Sequence, residues 1–226
     1  MTMSNLTFKS GLWKTGLLVM GVLMMGGVKA SEKSLLTAVR DGELASVQHL
    51  IAEGADLRAQ GLDGSSALLL ATRQNKVEIA QALVEAGADV NQKNLMQDSP
   101  YLLAGASGYN QILKLTLTHG ADLKSTNRYG GTALIPACER GYVETVRLLI
   151  EAGVDLNHVN RLGWTCLMEA IVLSEGGPAH QQIVGQLIHA GADLNLPDSN
   201  GRSPLYQAQA RGQNAIATLL RDAGAQ

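Results

Sequence analysis

The chain has 226 residues, with 18 Lys and Arg against 20 Asp and Glu, a formal net charge of -2. That balance excludes a strongly basic nucleic-acid binder, and two cysteines are too few for a disulfide-dense scaffold or a four-cysteine zinc site. Hydrophobic residues at 46% argue against wholesale disorder, while aromatics at 4% disfavour a sandwich or barrel of aromatic strands, and 25 Gly point to many tight turns.

Residues 1–30 read as a secretory signal. Lys9 and Lys14 precede an uncharged run from Thr15 to Val28, and Val28-Lys29-Ala30 puts small residues at the -3 and -1 positions of a cleavage site after Ala30. The run has 14 residues, whereas a membrane-spanning helix needs about 20. An uncleaved anchor is the alternative. Cleavage would remove Lys9, Lys14 and Lys29 and no acid, leaving 15 basic and 20 acidic side chains and a formal charge of -5. The expected location is periplasmic or secreted, with no stable membrane anchor.

From residue 31 to the end, three columns of residues keep a common step. The glycines at 54, 87, 120 and 153 are 33 apart; the step to Gly191 is 38 and the step to Gly224 is 33 again. Ala38, Ala71, Ala104, Ala137, Ala170 and Ala208 follow the same steps, as do the hydroxyls Ser66, Ser99, Thr132, Thr165 and Ser203. A hydroxyl at a helix start can accept an orphan backbone N–H. Val146, Leu149 and Ile150 put apolar groups on one face of a following helix, and a closing Gly lets that helix end in the left-handed conformation. The spacing therefore predicts six units, each unable to bury its apolar face alone, with polar-faced units at the ends. Arg221 stands where Ile51, Val84, Leu117, Ile150 and Ile188 stand elsewhere, which marks the last unit as a cap.

The run Gly201-Arg202-Ser203-Pro204-Leu205-Tyr206-Gln207-Ala208, and its counterpart from Gly163 to Ala170, resemble the ankyrin repeat. The resemblance covers residues 31–226. It implies an all-α repeat solenoid of helix-turn-helix units with β-hairpin fingers along one edge, acting as a protein-recognition scaffold rather than a catalyst. The usual His of the family motif is replaced by Leu69, Leu102, Ile135, Met168 and Tyr206, and Pro136 predicts an irregular first helix in its unit. The five extra residues fall near Ser174-Glu175-Gly176-Gly177-Pro178, either as a tolerated surface loop or as a partner contact.

Binding residues are expected on the fingers and the concave face. Leu62, Leu95, Met96, Tyr129, Leu162 and Trp164 lie at or beside the expected tips, where apolar side chains are dispensable for stacking; they are either exposed anchors or folded back on neighbouring fingers. By analogy with how the family binds, Arg73, Gln74, Ser107, Glu139 and Arg140 complete the surface. Cys138 and Cys166 fall on first helices of adjacent units. An oxidising compartment would permit a bond, but axes of packed helices lie about 8–10 Å apart, so two buried thiols are favoured. No helix-borne His pair, Gly-x-Ser-x-Gly elbow or phosphate loop is present. The reading is an exported, non-enzymatic binder of a protein partner, monomeric when free, with no nucleic acid, metal or cofactor. An immunity protein against a periplasm-acting toxin, or a helper or a haem or metal carrier for a periplasmic enzyme, are the alternatives.

Overall fold

The computed structural model describes residues 34–226. The expected signal segment and its cleavage site lie outside the described residues. Twelve α-helices follow among the described residues: α1 (Leu35–Asp41), α2 (Leu44–Ala52), α3 (Ala67–Arg73), α4 (Val77–Glu85), α5 (Pro100–Ser107), α6 (Asn110–Thr118), α7 (Leu134–Glu139), α8 (Val143–Glu151), α9 (Cys166–Val172), α10 (Pro178–His189), α11 (Pro204–Ala210) and α12 (Asn214–Asp222). Odd-numbered helices pack on one another in an inner row and even-numbered helices in an outer row, and each inner helix also packs on the outer helix that follows it. This is the expected repeat solenoid.

The alanine column is the seam of the stack. Ala38, Ala71, Ala104, Ala137, Ala170 and Ala208 are all fully buried, as are Leu83, Leu149, Leu187 and Leu220 from the outer helices. Small side chains in the seam let successive inner helices approach closely, and the longer apolar groups fill the layer behind them. The glycines that close the outer helices all take left-handed backbone, with φ from 80° at Gly54 to 92° at Gly87. Arg221 is exposed at the end of the stack, as the cap pattern required.

Four of the five column hydroxyls cap their inner helix as expected. Ser66, Ser99, Thr165 and Ser203 each accept from the backbone N–H three residues on. Thr132 does not, and its buried Oγ1 has no hydrogen-bond partner. The cause is Pro136, which cannot donate to the carbonyl four residues before it. Helix α7 consequently begins at Leu134 and has only six residues.

The insertion is divided between loop and helix. Residues 173–177 join α9 to α10, where residues 140–142 join α7 to α8, and α10 has 12 residues where α8 has 9. The loop is tied down. Gln213 of the last unit donates to the carbonyls of Ile171 at 2.9 Å and Ser174 at 2.8 Å, and Gln181 donates to the Gly176 carbonyl at 2.7 Å.

The expectation of two free thiols is overturned. Cys138 and Cys166 form a disulfide with Cα atoms 5.5 Å apart. Axis-to-axis spacing is the wrong measure here, because both residues sit where the facing surfaces of α7 and α9 come closest. One repeat earlier the same two positions hold Gly105 and Ala133. A Cβ added to Gly105 would lie 2.7 Å from the Ala133 Cβ, so this contact admits either a minimal pair or a covalent one.

Two stability experiments follow from this packing. Gly105→Ala is expected to destabilise by about 1–3 kcal/mol through overpacking against Ala133. Gly185→Ala, in α10 with nothing within 4 Å of the added methyl, is expected to gain up to about 1 kcal/mol from helix propensity; urea unfolding of both variants compares them. Thiol titration of the denatured, unreduced protein is expected to find no free thiol. Reduction, which opens a loop spanning a sequence separation of 28, is expected to cost about 3 kcal/mol.

Candidate protein-binding face

Four of the five fingers are tight turns built around one side chain; in the first, Gly61 stands in that place and Asp63 Oδ1 accepts from the Ser65 N–H. Asn94 Oδ1 accepts from the N–H groups of Met96 (3.0 Å) and Asp98 (2.9 Å). Asn127 serves Tyr129 and Gly131 in the same way, Asn160 serves Leu162 and Trp164, and Asp198 serves Asn200 and Arg202. A backbone bond closes the base of each turn, for instance from Asn160 N–H to the Trp164 carbonyl at 3.0 Å. The expected hairpins are thus turns rather than strands: among the described residues the only β-type pairing is an isolated bridge between Gln60 and Ser66. Because one side-chain oxygen takes both turn donors, the chain reverses without needing a ladder. Neighbouring fingers are also joined, Leu95 N–H to the Asp63 carbonyl at 3.1 Å and Arg161 N–H to the Tyr129 carbonyl at 3.0 Å.

The tips carry an exposed apolar row. Relative exposure is 105% at Leu62, 75% at Leu95, 51% at Met96, 58% at Tyr129 and 54% at Leu162. Trp164 does not belong to this row. It is half-buried, because its residue closes the base of its finger instead of standing at the tip. Arg128 lies over the Tyr129 ring, 5.0 Å from its centroid.

Three of the expected polar contacts are committed within the fold. Arg73 pairs with Asp63 at 3.2 Å. Hydrogen bonds from Ser65, and then from Arg73, hold the Asp63 carboxyl down at about 2. Gln74 donates to the Arg40 carbonyl at 3.3 Å and Arg140 to the Ala106 carbonyl at 2.5 Å; Arg211, at the corresponding place in the last unit, donates to the Val172 carbonyl at 3.4 Å. This column staples the frayed end of one inner helix from the next unit. Ser107 and Glu139 are half-buried and remain on the open surface behind the tips.

A cleft of about 460 Å³ opens between the fingers and the inner helices of the middle units. Leu103, Ile135, Pro136, Leu162 and Leu173 form its apolar walls, and Asp98, Arg128, Glu139, Arg140 and Glu169 are its charged groups. Glu169, 5% exposed, accepts from Asn160 Nδ2 at 2.7 Å on Oε1. Burial, reinforced by the charge of Glu139, pushes its carboxyl up to about 7. One unit later the same pair appears with amide and acid exchanged, Gln207 donating to Asp198 at 2.5 Å.

The sequence reading missed Asp98, Arg128, Asn160, Glu169 and Leu173. A signal for Asn160 was present: Asn94, Asn127, Asn160 and Asp198 share the glycine steps. Glu169 stands out only as the one carboxylate in a column that holds Leu70, Leu103 and Pro136 in the units before it and Gln207 in the unit after. Two histidines tie neighbouring units together. His158 donates to the Gly130 carbonyl at 2.6 Å and His180 to the Glu139 carbonyl at 3.0 Å. Among the described residues no group of three His, Cys, Asp or Glu could hold a metal ion, and no helix is long and apolar enough to cross a membrane.

Comparison with known proteins gives a consistent picture. The family model for ankyrin repeats (three copies) matches residues 19–94, 35–122 and 101–198. A putative ankyrin repeat protein of Escherichia coli K12, YahD, is 48% identical over 58 residues, covering 26% of this chain and 29% of that protein. A crystal structure of an ankyrin repeat domain from Acinetobacter baumannii AYE is 55% identical, with TM-score 0.84 over 85% of this chain and 98% of the other. The ankyrin repeat domain of Bcl-3, a member of the IκB family, is 27% identical, with TM-score 0.77 over 87% and 88% of the two chains.

The position of Glu169 predicts a pH dependence with a definite sign. Its folded pKa, about 7, lies above the ordinary 4.5, so the folded state holds the proton more tightly than the unfolded chain. Its contribution to stability is therefore greatest below pH 4.5 and is lost as pH rises through about 7. Asp63 and Asp198, both lowered from 3.8, act in the opposite sense and at lower pH. Glu169→Gln is expected to abolish the fall in stability between these pH values, with a gain at pH 8 of up to ~3 kcal/mol, measured by urea unfolding across pH.

Proposed function

This chain belongs to the ankyrin-repeat family, whose repeats mediate protein–protein interaction, and on that premise we propose that it is an exported, non-catalytic scaffold that grips a protein client. The contact surface is the row of finger tips from Leu62 to Leu162 together with the cleft behind it. The observation that carries this reading is the exposure of five large apolar side chains that the stack leaves unburied at the finger tips. Both ends of every finger are hydrogen-bonded, so the tips are ordered before a partner arrives and little conformational freedom is lost on binding.

Two independent features support export to the periplasm or beyond. The first 30 residues have the charge and apolar pattern of a signal segment. The Cys138–Cys166 bond suits an oxidising compartment, since cytosolic thiols are kept reduced. The half-buried Trp164 is left out of the contact surface, and Tyr129 and Leu162 are its central anchors.

The test is affinity capture of envelope proteins from the native cells, with mass spectrometric identification. The Tyr129→Ala, Leu162→Ala double variant is expected to lose capture at least about tenfold, as hot-spot removal does. Its melting temperature should stay within about 2 °C of the parent, because both side chains are exposed. Capture that survives the double substitution excludes the finger tips as the contact.

A further inference from the structure

The cleft behind Tyr129 and Leu162 has an unbalanced charge. Both of its cations are engaged. Arg128 pairs with Asp98 at 3.7 Å and covers the Tyr129 ring, and Arg140 is turned to the Ala106 carbonyl. The two remaining anions are not matched. Among the described residues, the Glu139 side chain receives no hydrogen bond and no ion pair, and Glu169 receives one donor, Asn160, on Oε1, leaving Oε2 without one. Glu169 is nevertheless 95% removed from solvent, at 5% exposure, and lines the cleft. A carboxylate so placed, facing a second carboxylate, is costly to keep ionised unless a cation arrives, and otherwise it holds a proton. Among the described residues the neighbouring elements supply none: on α10, His180 is bonded to the Glu139 carbonyl, and just after α11, Arg211 is bonded to Gln207 and the Val172 carbonyl.

The walls restrict what the cation can be. Leu103, Ile135, Pro136 and Leu173 surround the approach with apolar surface, and Tyr129 and Leu162 stand exposed at the mouth. A bare, strongly hydrated ion gains nothing from such walls. A long side chain with a methylene stem and a charged head gains from both walls and floor.

We propose that this cleft is a socket for one cationic side chain, Arg or Lys, on a client segment whose adjacent apolar residue rests on Tyr129 and Leu162. The head group meets Glu139 and Glu169, and the stem lies along Leu103, Ile135 and Leu173. This rests on the protein-binding reading above and names the chemistry of the client at one position.

The probes are three short compounds titrated into the isotope-labelled full chain: acetyl-Leu-Arg-Leu-amide, acetyl-Leu-Gln-Leu-amide and acetyl-arginine amide. The readout is the Asn160 side-chain amide resonance. The arginine tripeptide is expected to move it saturably with a Kd on the order of millimolar, and the glutamine tripeptide to bind about tenfold more weakly or worse. Glu139→Gln, half-buried at the surface, and the double variant Glu139→Gln, Glu169→Gln are each expected to weaken the arginine tripeptide while leaving the far-ultraviolet spectrum unchanged. Equal binding of the arginine and glutamine tripeptides, or no response to either, overturns the socket. Acetyl-arginine amide binding as tightly as the tripeptide overturns the assignment to a client segment. Envelope capture that persists while arginine discrimination is absent removes only the socket; arginine discrimination that persists while capture is absent removes only the scaffold reading.

Discussion

Helices of six to twelve residues do not hold themselves together in water, and every feature of this protein answers that constraint. A single helix pair here has an apolar side it cannot bury and terminal carbonyls it cannot satisfy. The next unit does both. Its alanine seam closes over the apolar side, and its own side chains reach back to the open carbonyls, as Gln74, Arg140 and Arg211 do. A second set, Lys76, His180 and Gln213, reaches back from the outer helices to the same helix ends. Stability is therefore a property of neighbouring pairs, and the terminal units need polar outer faces such as the one Arg221 supplies.

The same arrangement makes a binding face without further cost in order. Helix packing sets the position of each finger base, and one Asn or Asp sets the turn in each of the last four fingers. The tips then project side chains that have no structural task. Where a residue does have one, it is engaged within the fold: Arg73 is held by Asp63, and Trp164 is tucked at the base of its finger. What is left facing outward is apolar at the tips and anionic in the cleft.

The middle of the stack departs most from its own repeat. Pro136 shortens α7, Thr132 loses its capping role, Glu169 replaces an apolar residue, and a disulfide crosses the seam between α7 and α9. These departures cluster around the cleft. The covalent bond joins the two helices that carry the proline and the buried carboxylate, and Asn160 ties that carboxylate to the finger that leads into α9. Local rules are broken there and compensated close by, which is the pattern expected of a functional region.

Spacing alone was enough to read the repeat, its six units, the buried seam, the capping hydroxyls, the broken first helix at Pro136 and the position of the insertion. Those properties depend on periodicity within one unit, and periodicity is written in the order of residues. Only the folded stack could reveal that Cys138 and Cys166 are bonded, that Gln74 and Arg140 face backbone carbonyls, that Trp164 is sheltered, and that Glu139 and Glu169 face each other in a cleft. Each of these depends on how closely, and at what angle, one unit seats on the next. The residues involved are tens of positions apart in the chain, and a tenth of a helix turn or a single ångström at the seam decides which side chains meet.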